Sequence, residues 1–270
     1  MSATGEPRDS KSLTYKSYLK IDELLELQQP LSVGPEHDEL LFIVIHQVYE
    51  LWFKQINHEI DRACRLLEVG AAEDALATFK RILTILKILV AQVDVLETMT
   101  PVSFSSFRAR LESASGFQSS QFREFEFRLG HKNLAMVAHH AAGSLGAKRL
   151  SALVDQPTLY DFFLRFLAGR GYPVPRRLLE RDFSQPIGES VELQDTLVGI
   201  YRDDHLCSTI CERLVDLDEG LQEWRYRHVK MVERTIGTKP GTGGSEGVAY
   251  LRTTLHQPLF PDLWAIRARL

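Results

Sequence analysis

Cysteine is scarce in this chain, with three residues among 270. Cys207 and Cys211 lie one helical turn apart, but no second pair of cysteine or histidine follows at the spacing of a zinc finger. So few cysteines exclude the disulfide framework of a small secreted protein. We therefore predict that these two residues and Cys64 are reduced thiols rather than metal ligands.

The chain also lacks the features of secreted, membrane and nucleic-acid-binding proteins. Its first residues, MSATGEPRDSKS, are polar and contain no apolar segment of a signal peptide. No uncharged apolar run is long enough to span a bilayer. The formal net charge is −4, and lysine and arginine do not cluster among aromatic residues. We expect a soluble cytoplasmic protein without membrane or nucleic-acid partners.

Strand-like alternation is absent, whereas helical periodicity covers most of the chain. Apolar residues recur every three or four positions, which predicts helices over 36–68, 72–99, 117–138, 158–167, 191–201 and 206–236. Pro101 is expected to stop the second of these helices. Glycine and proline cluster at 143–146, 169–175 and 186–188, and both chain ends look irregular. These breaks are too short for domain linkers, so we predict one all-α domain, a helical bundle over 1–270.

Residues 239–247, KPGTGGSEG, place four glycines and Thr242 directly after the last long helix. Without Cβ atoms, such a backbone can bring its N–H groups close to a small polar or anionic ligand. The same composition also suits a flexible connector. Both interpretations remain open from composition alone.

Two histidines lie on apolar helix faces, where a polar ring needs a partner. His46 shares its face with Phe42 and Tyr49, and His228 shares its face with Trp224. Each ring could simply bond a backbone carbonyl in the core. Alternatively, each could hold a ligand or move a proton inside an apolar pocket. A single buried histidine could also be the axial ligand of a haem iron.

Segment 104–133 alternates arginines with phenylalanines around a SASG turn. Its arginines are Arg108, Arg110, Arg123 and Arg128. A guanidinium beside such a turn suits the bidentate capture of a carboxylate. Most arginines in this setting, however, only cover an amphipathic face with their aliphatic stems.

Four motifs carry a resemblance to a known family. In chain order they are TYKSYLKIDELLELQQPLS, HDELLFIVIHQVYELWFKQINHE, the FR…SASGFQSSQFREFE…LGHKN block and LVDLDEGLQEWRYRHVKMVERTIGTKPGTGGSEGVAYLR. Over nearly its whole length the chain resembles the tryptophan 2,3-dioxygenases, all-helical enzymes that open the indole ring with haem. The resemblance implies a helical bundle around a buried haem b, with Fe²⁺ in the active form and O₂ as co-substrate. It also implies L-tryptophan as substrate and N-formylkynurenine as product.

Carried over to the matching positions, the resemblance implies a role for each of several residues. His228 would be the proximal ligand of the haem iron. His46 would be the distal, catalytic residue that accepts a hydrogen bond from the indole N–H. Phe42 would pack against the indole ring, Arg108 would pair with the substrate carboxylate, and Thr242 would hold the amino-acid head group.

The resemblance also implies an oligomer. Tyr15, Tyr18 and Leu19 would belong to an N-terminal arm, about residues 1–20, that in the family completes the active site of a neighbouring subunit. This arrangement implies a homotetramer built as a dimer of dimers. Ser115 would lie near the edge of the haem and its propionates.

Three positions depart from the family pattern. Val93 stands where an aromatic residue is expected, Phe104 where some members have tyrosine, and Glu246 where a small residue is expected. These changes fit neutral drift within a true dioxygenase. They also fit a paralogue with a remodelled pocket, a haem-dependent monooxygenase that converts a β-substituted tryptophan to a 2-oxindole in natural-product biosynthesis.

Overall fold

The structure, a computed structural model, describes residues 12–34, 36–242 and 247–270. These residues form helices and no strand, which confirms the predicted all-α class. The α-helices are α1 (Tyr15–Leu19), α2 (Ile21–Leu25), α3 (His37–Glu68), α4 (Ala72–Leu96), α5 (Pro101–Arg108), α6 (Ser120–Leu129), α7 (Leu145–Leu153), α8 (Leu159–Gly169), α9 (Arg176–Leu179), α10 (Val191–Asp203), α11 (His205–Ile236), α12 (Val248–Thr253) and α13 (Pro261–Ala265). Short 3₁₀ turns occupy Ala109–Leu111, Gly116–Gln118, Leu134–His139 and Ile266–Arg269.

Three long helices form the framework of the fold. α3 and α4 are antiparallel neighbours joined by a short turn at Gly70, whose φ of +77° favours glycine. α11 packs along α4, and the Leu86 side chain of α4 packs directly on Gly220 of α11, where an added Cβ would lie 2.7 Å from Leu86 Cδ2. Apolar residues of these helices, together with those of α8 and α10, make the main core. This framework fixes the positions of His46 on α3 and His228 on α11.

A smaller apolar cluster lies where α3, α4 and α5 meet. It consists of Ile45, Leu96, Met99, Phe104 and Phe107. α4 ends before Pro101 as predicted, but the proline also begins α5, which the periodicity does not predict. Thr100 caps α5, because its Oγ1 accepts the N–H of Ser103 at 3.1 Å. The result places Arg108 at the carboxyl end of α5.

The prediction of one helix over 117–138 is wrong. α6 ends at Leu129, because Gly130 adopts a left-handed conformation with φ +106° that stops the helix. The stretch 143–146, interpreted as a break, contains the start of α7, capped by the Ser144 hydroxyl. The end of the chain, predicted to be irregular, forms α13 and a 3₁₀ turn.

None of the three cysteines forms a disulfide, and burial raises the pKa of Cys64 and Cys207 to about 12. Thiols with this pKa stay protonated at neutral pH, as expected for core residues. In the described part of the chain, no helix combines the length and the hydropathy that a membrane span requires.

Candidate active site

A cavity of about 270 Å³ opens between α3, α5, α6, α11 and the segment that follows α11. One water molecule needs only about 10–15 Å³, so the cavity can hold a much larger group. Its wall is mostly apolar and aromatic, with Phe53, Val93, Phe104, Phe122 and Trp224 among its members. Polar groups converge on it from distant parts of the chain, among them His46, Arg108, Ser115, Arg123, His228 and Thr242.

His46 lies on the cavity face of α3, one turn after Phe42. Its Nδ1 lies 2.7 Å from the carbonyl oxygen of Phe42, and the two rings are 4.1 Å apart. A carbonyl can only accept, so Nδ1 carries the proton and Nε2 is left as an acceptor. The ring is reachable from the cavity but lies deep inside the protein, and this burial lowers its pKa although the Phe42 bond opposes the shift. The structure therefore shows the backbone bond of the core interpretation and also places His46 on the cavity wall, so its role toward a ligand stays a prediction.

His228 lies on α11 and lines the same cavity. Its ring stacks on that of Trp224, one turn earlier, with centroids 5.2 Å apart and planes 7° from parallel. Burial, followed by the nearby His46 and Arg123, lowers the pKa of His228 to about 4. The imidazole is therefore neutral at physiological pH, which is the form that binds metal ions.

Arg108 and Thr242 link two segments at the mouth of the cavity. Arg108 Nη2 donates to the carbonyl of Pro240 at 2.6 Å, and the Thr242 hydroxyl donates to the carbonyl of Ala114 at 2.6 Å. The glycine-rich segment is thus fastened to the turn after α5 by the two side chains expected to hold substrate. Ser115 lies beside this turn and also lines the cavity.

Two backbone features shape this mouth. Gly247 has φ +61°, and a Cβ there would lie 2.8 Å from the carbonyl oxygen of Lys239. Glu112 has φ +47° and ψ −112°, inside a turn closed by the N–H of Ala114 on the carbonyl of Leu111 at 2.7 Å. This conformation favours glycine, so Glu112 is strained next to the site.

A network of charged side chains forms another part of the cavity wall, and the sequence did not reveal it. Glu126 on α6 accepts hydrogen bonds from Arg123 and Arg225, and Arg225 lies 3.0 Å from His131 Nδ1. Burial and the neighbouring Arg225 lower the pKa of His131 to about 4. The sequence signal for this network is that charged residues stand between the buried phenylalanines of α6. Without the packing, this pattern does not distinguish a buried network from an exposed helix face.

The residues expected in the N-terminal arm do not join this cavity within their own chain. Tyr15, Tyr18 and Leu19 lie on α1 with 77%, 70% and 42% of their surfaces exposed. Val93 and Phe104, the first two departures from the expected pattern, are buried in the cavity wall. The third departure, Glu246, lies outside the described residues.

Comparison with known proteins decides which family combines these features. The family model of tryptophan 2,3-dioxygenase matches residues 2–143 and 180–270. The tryptophan 2,3-dioxygenase of Herpetosiphon aurantiacus is 60% identical over 261 residues, which cover 97% of this chain and 100% of that protein. The chain belongs to the tryptophan 2,3-dioxygenase family. Two further proteins named tryptophan 2,3-dioxygenase agree with this assignment. The one from Anaeromyxobacter sp. strain K is 56% identical, over 99% of this chain and 100% of its own length. The one from Caulobacter vibrioides is 43% identical, over 97% of this chain and 100% of its own length.

The region outside the match to the tryptophan 2,3-dioxygenase model lies away from the cavity. It runs from residue 144 to residue 179 and contains α7, α8 and α9. None of its residues lines the cavity. The site is therefore built entirely from segments that match the tryptophan 2,3-dioxygenase family.

Proposed function

We propose that this protein is a haem-dependent tryptophan 2,3-dioxygenase that inserts O₂ across the indole C2–C3 bond of L-tryptophan to give N-formylkynurenine, the first step of the kynurenine pathway. The observation that carries the proposal is the meeting of His46, His228, Arg108 and Thr242 at one apolar cavity in a member of this family. These four residues lie on three helices and a loop that are far apart in the chain, so only the folded structure brings them together.

The donor set on the wall fits haem b. His228 supplies a neutral imidazole with apolar neighbours, the requirement for an axial ligand of haem iron. Arg123 supplies a buried Nε–H that has no partner among the described residues, which suits a propionate. When bound, ferrous haem supplies the chemistry that activates O₂. Ser115 would lie near the haem edge.

The remaining groups fit an amino acid with an indole side chain. Arg108 would bind the carboxylate of the substrate, and Thr242 would bind its head group. Each side chain would give up its present hydrogen bond to a backbone carbonyl and bind the substrate instead. Phe42 would pack against the indole ring. His46 would accept the indole N–H on Nε2, because Phe42 holds the proton of Nδ1. Fixing both ends of the substrate places C2 and C3 for reaction.

We further propose that the chain forms one domain and acts as a homotetramer, a dimer of dimers. Helix α1 has no buried residue, and Tyr15, Tyr18 and Leu19 are exposed, which suits an arm of about residues 1–20 reaching a neighbouring active site. Three unpaired cysteines suit the reducing conditions of the cytoplasm, where we place the enzyme.

The number of oxygen atoms transferred tests the reaction. Ferrous protein incubated with L-tryptophan in air should give a product that has gained two oxygen atoms, identified by mass. A product from β-methyltryptophan with one added oxygen, and no conversion of L-tryptophan, would contradict the proposal and indicate the oxindole-forming alternative. That alternative is not favoured, because relatives at 43–60% identity over nearly the whole chain are named tryptophan 2,3-dioxygenase.

Gly247→Ala should weaken substrate binding while haem binding persists. The new methyl group would meet the Lys239 carbonyl at 2.8 Å in a conformation that already disfavours a side chain. The resulting shift would loosen the segment carrying Thr242, and we expect KM for L-tryptophan to rise about tenfold, which corresponds to roughly 1.4 kcal/mol. Steady-state kinetics measures this effect.

The matched control for this variant is Gly143→Ala. Gly143 has φ +78° but no atom within 4 Å of an added Cβ, and it lies outside the cavity. It should lose stability without a change in KM. Equal KM values for both variants and the parent protein would contradict the role of the Gly247 contact.

Glu112→Gly should raise the stability of the protein. Relief of backbone strain, about 1–3 kcal/mol, outweighs the entropy cost of glycine, about 0.5–1 kcal/mol. The net gain of about 1 kcal/mol should raise Tm by roughly 2–4 °C. Glu112→Ala removes the same carboxylate but keeps the Cβ, so it should show no such gain. If both variants gain equally, charge rather than strain is responsible.

A further inference from the structure

The first two described helices, α1 and α2, are poorly supported by their own chain. Each is five residues long, and neither contains a buried residue. Helices this short are not stable alone in water. Among the described residues, the hydrogen bonds and ion pairs of 12–26 stay within the first 29 residues of the chain. Large apolar side chains are nevertheless exposed here, namely Leu13, Tyr15, Tyr18, Leu19, Leu24 and Leu25. This stretch therefore needs a surface to pack on that the described part of its own subunit does not provide.

A short segment, residues 27–32, leads from these helices toward α3, and we call it the strap. One end of the strap is held by Gln47. Its Nε2 donates to the carbonyl of Leu27 at 3.1 Å, and its Oε1 accepts from the side-chain amide of Gln28. Gln47 directly follows His46, so this end of the strap is fixed to α3 beside a histidine of the candidate site.

The other end of the strap is held by Glu39, two turns earlier on α3. Its carboxylate accepts the backbone N–H of Leu31 at 2.7 Å and that of Ser32 at 3.1 Å. Glu39 is only 3% exposed, and burying a carboxylate is costly unless it is hydrogen-bonded. Burial alone would raise its pKa, but the bonds from the strap lower it, so the group stays charged at neutral pH. In the described structure its hydrogen-bond partners belong to the strap, and none is a lysine or an arginine. A buried charge therefore holds this segment in place.

We propose that Glu39 and Gln47 are positioning residues for the active site of a neighbouring subunit. By holding the strap, they direct the arm that carries Tyr15, Tyr18 and Leu19 onto a second copy of the chain. The inference rests on the proposed function, which places this arm in a neighbouring site. Both anchors together fix the direction in which the arm leaves α3, so the loss of either would displace its tip. A displacement of about 1 Å at a reacting site can lower the rate about 100-fold.

Mixed assemblies of two variants test this proposal, because they separate the arm of one subunit from the site of another. Glu39→Gln keeps its own site but presents an amide N–H to the backbone N–H groups of the strap. His228→Ala supplies an intact arm but should hold no haem. The two chains are expressed together with different affinity tags, with His228→Ala in excess, and assemblies that carry both tags are purified. Only Glu39→Gln subunits then contribute haem, so kcat/KM for L-tryptophan per haem reports on their sites alone.

The expected result is a defect that the neighbouring chain relieves. Glu39→Gln alone should have a kcat/KM per haem about tenfold below that of the parent, the effect of one lost charge-assisted hydrogen bond. In the mixed assemblies this value should rise severalfold toward that of the parent, because each Glu39→Gln site then receives the arm of a His228→Ala neighbour. A loss of stability confined to the Glu39→Gln chain would not be relieved in this way.

Asp38→Asn is the matched control, since it removes the same charge from the same turn of α3. Asp38 bonds neither Leu31 nor Ser32, whose N–H groups go to Glu39. This variant should match the parent both alone and in the mixture. If Glu39→Gln does not fold, as judged by circular dichroism, Gln47→Leu replaces it. It removes the other anchor of the strap and should show a smaller defect that is relieved in the same way.

The results that would count against the inference fall into two groups. Full activity of Glu39→Gln alone, or a defect of the same size in the mixture, would overturn the role of the strap and leave the enzyme proposal intact. So would a parent protein that is active as a single subunit in solution. A parent protein that takes up no haem, or a His228→Ala chain that keeps both haem and activity, would overturn the proposed function and its iron ligand.

Discussion

His228→Ala is expected to lose haem. The proximal imidazole would form the bond between the protein and the iron. Even mutation of residues that only support a metal ligand commonly lowers metal affinity by about 10–100-fold. We therefore expect haem affinity to fall by more than about 100-fold, measured by titration of the Soret band. Added imidazole should restore part of the band, because it can occupy the space that the ring leaves.

His46→Ala is the matched control for this result. It removes the other histidine of the same cavity, whose assigned role is to accept the indole N–H and not to bind iron. It should keep its haem and lose part of its activity. If His46→Ala loses haem and His228→Ala keeps it, the two assigned roles are reversed.

Arg108→Leu is expected to raise KM for L-tryptophan by about 10–100-fold with haem still bound. The variant removes a charge-assisted pair with the substrate carboxylate, worth roughly 1.5–3 kcal/mol. Tryptamine lacks the carboxylate, so the parent and the variant should treat it alike. Steady-state kinetics with both compounds measures the difference.

Arg110→Leu controls for the loss of a positive charge near the site. Arg110 lies two residues from Arg108 but is exposed and does not line the cavity. Its KM should be unchanged. A KM for Arg108→Leu equal to that of the parent would remove Arg108 from the substrate site.

Helical periodicity predicted the framework well because the long helices bury one continuous face. The observed α3, α4 and α11 span His37–Glu68, Ala72–Leu96 and His205–Ile236, within a few residues of the predicted bounds. The prediction over 117–138 is wrong because an apolar pattern continues across Gly130, where the backbone turns. The short helices α5 and α7 depend on caps at Thr100 and Ser144, which periodicity does not detect.

The sequence by itself determined the helical class, the family and the residue types of the site. Motifs of consecutive residues are read directly from the chain, and they identify His46, Arg108, His228 and Thr242 as candidates. The structure then decided where these residues lie and which groups they contact. Only the packing of α3 and α11 on α4 brings the two histidines to one cavity. Only the Phe42 carbonyl assigns the proton to Nδ1 of His46.

The glycine-rich segment and Arg123 show the same division. The composition of the glycine-rich segment left two interpretations equally open, a ligand-binding loop and a connector. The structure fastens its described part to the turn after α5 through Arg108 and Thr242. Arg123 was one of four arginines in its segment until folding buried it with an unused donor. Such contacts join residues far apart in the chain, and no local pattern encodes them, because their energies exist only after the helices have packed.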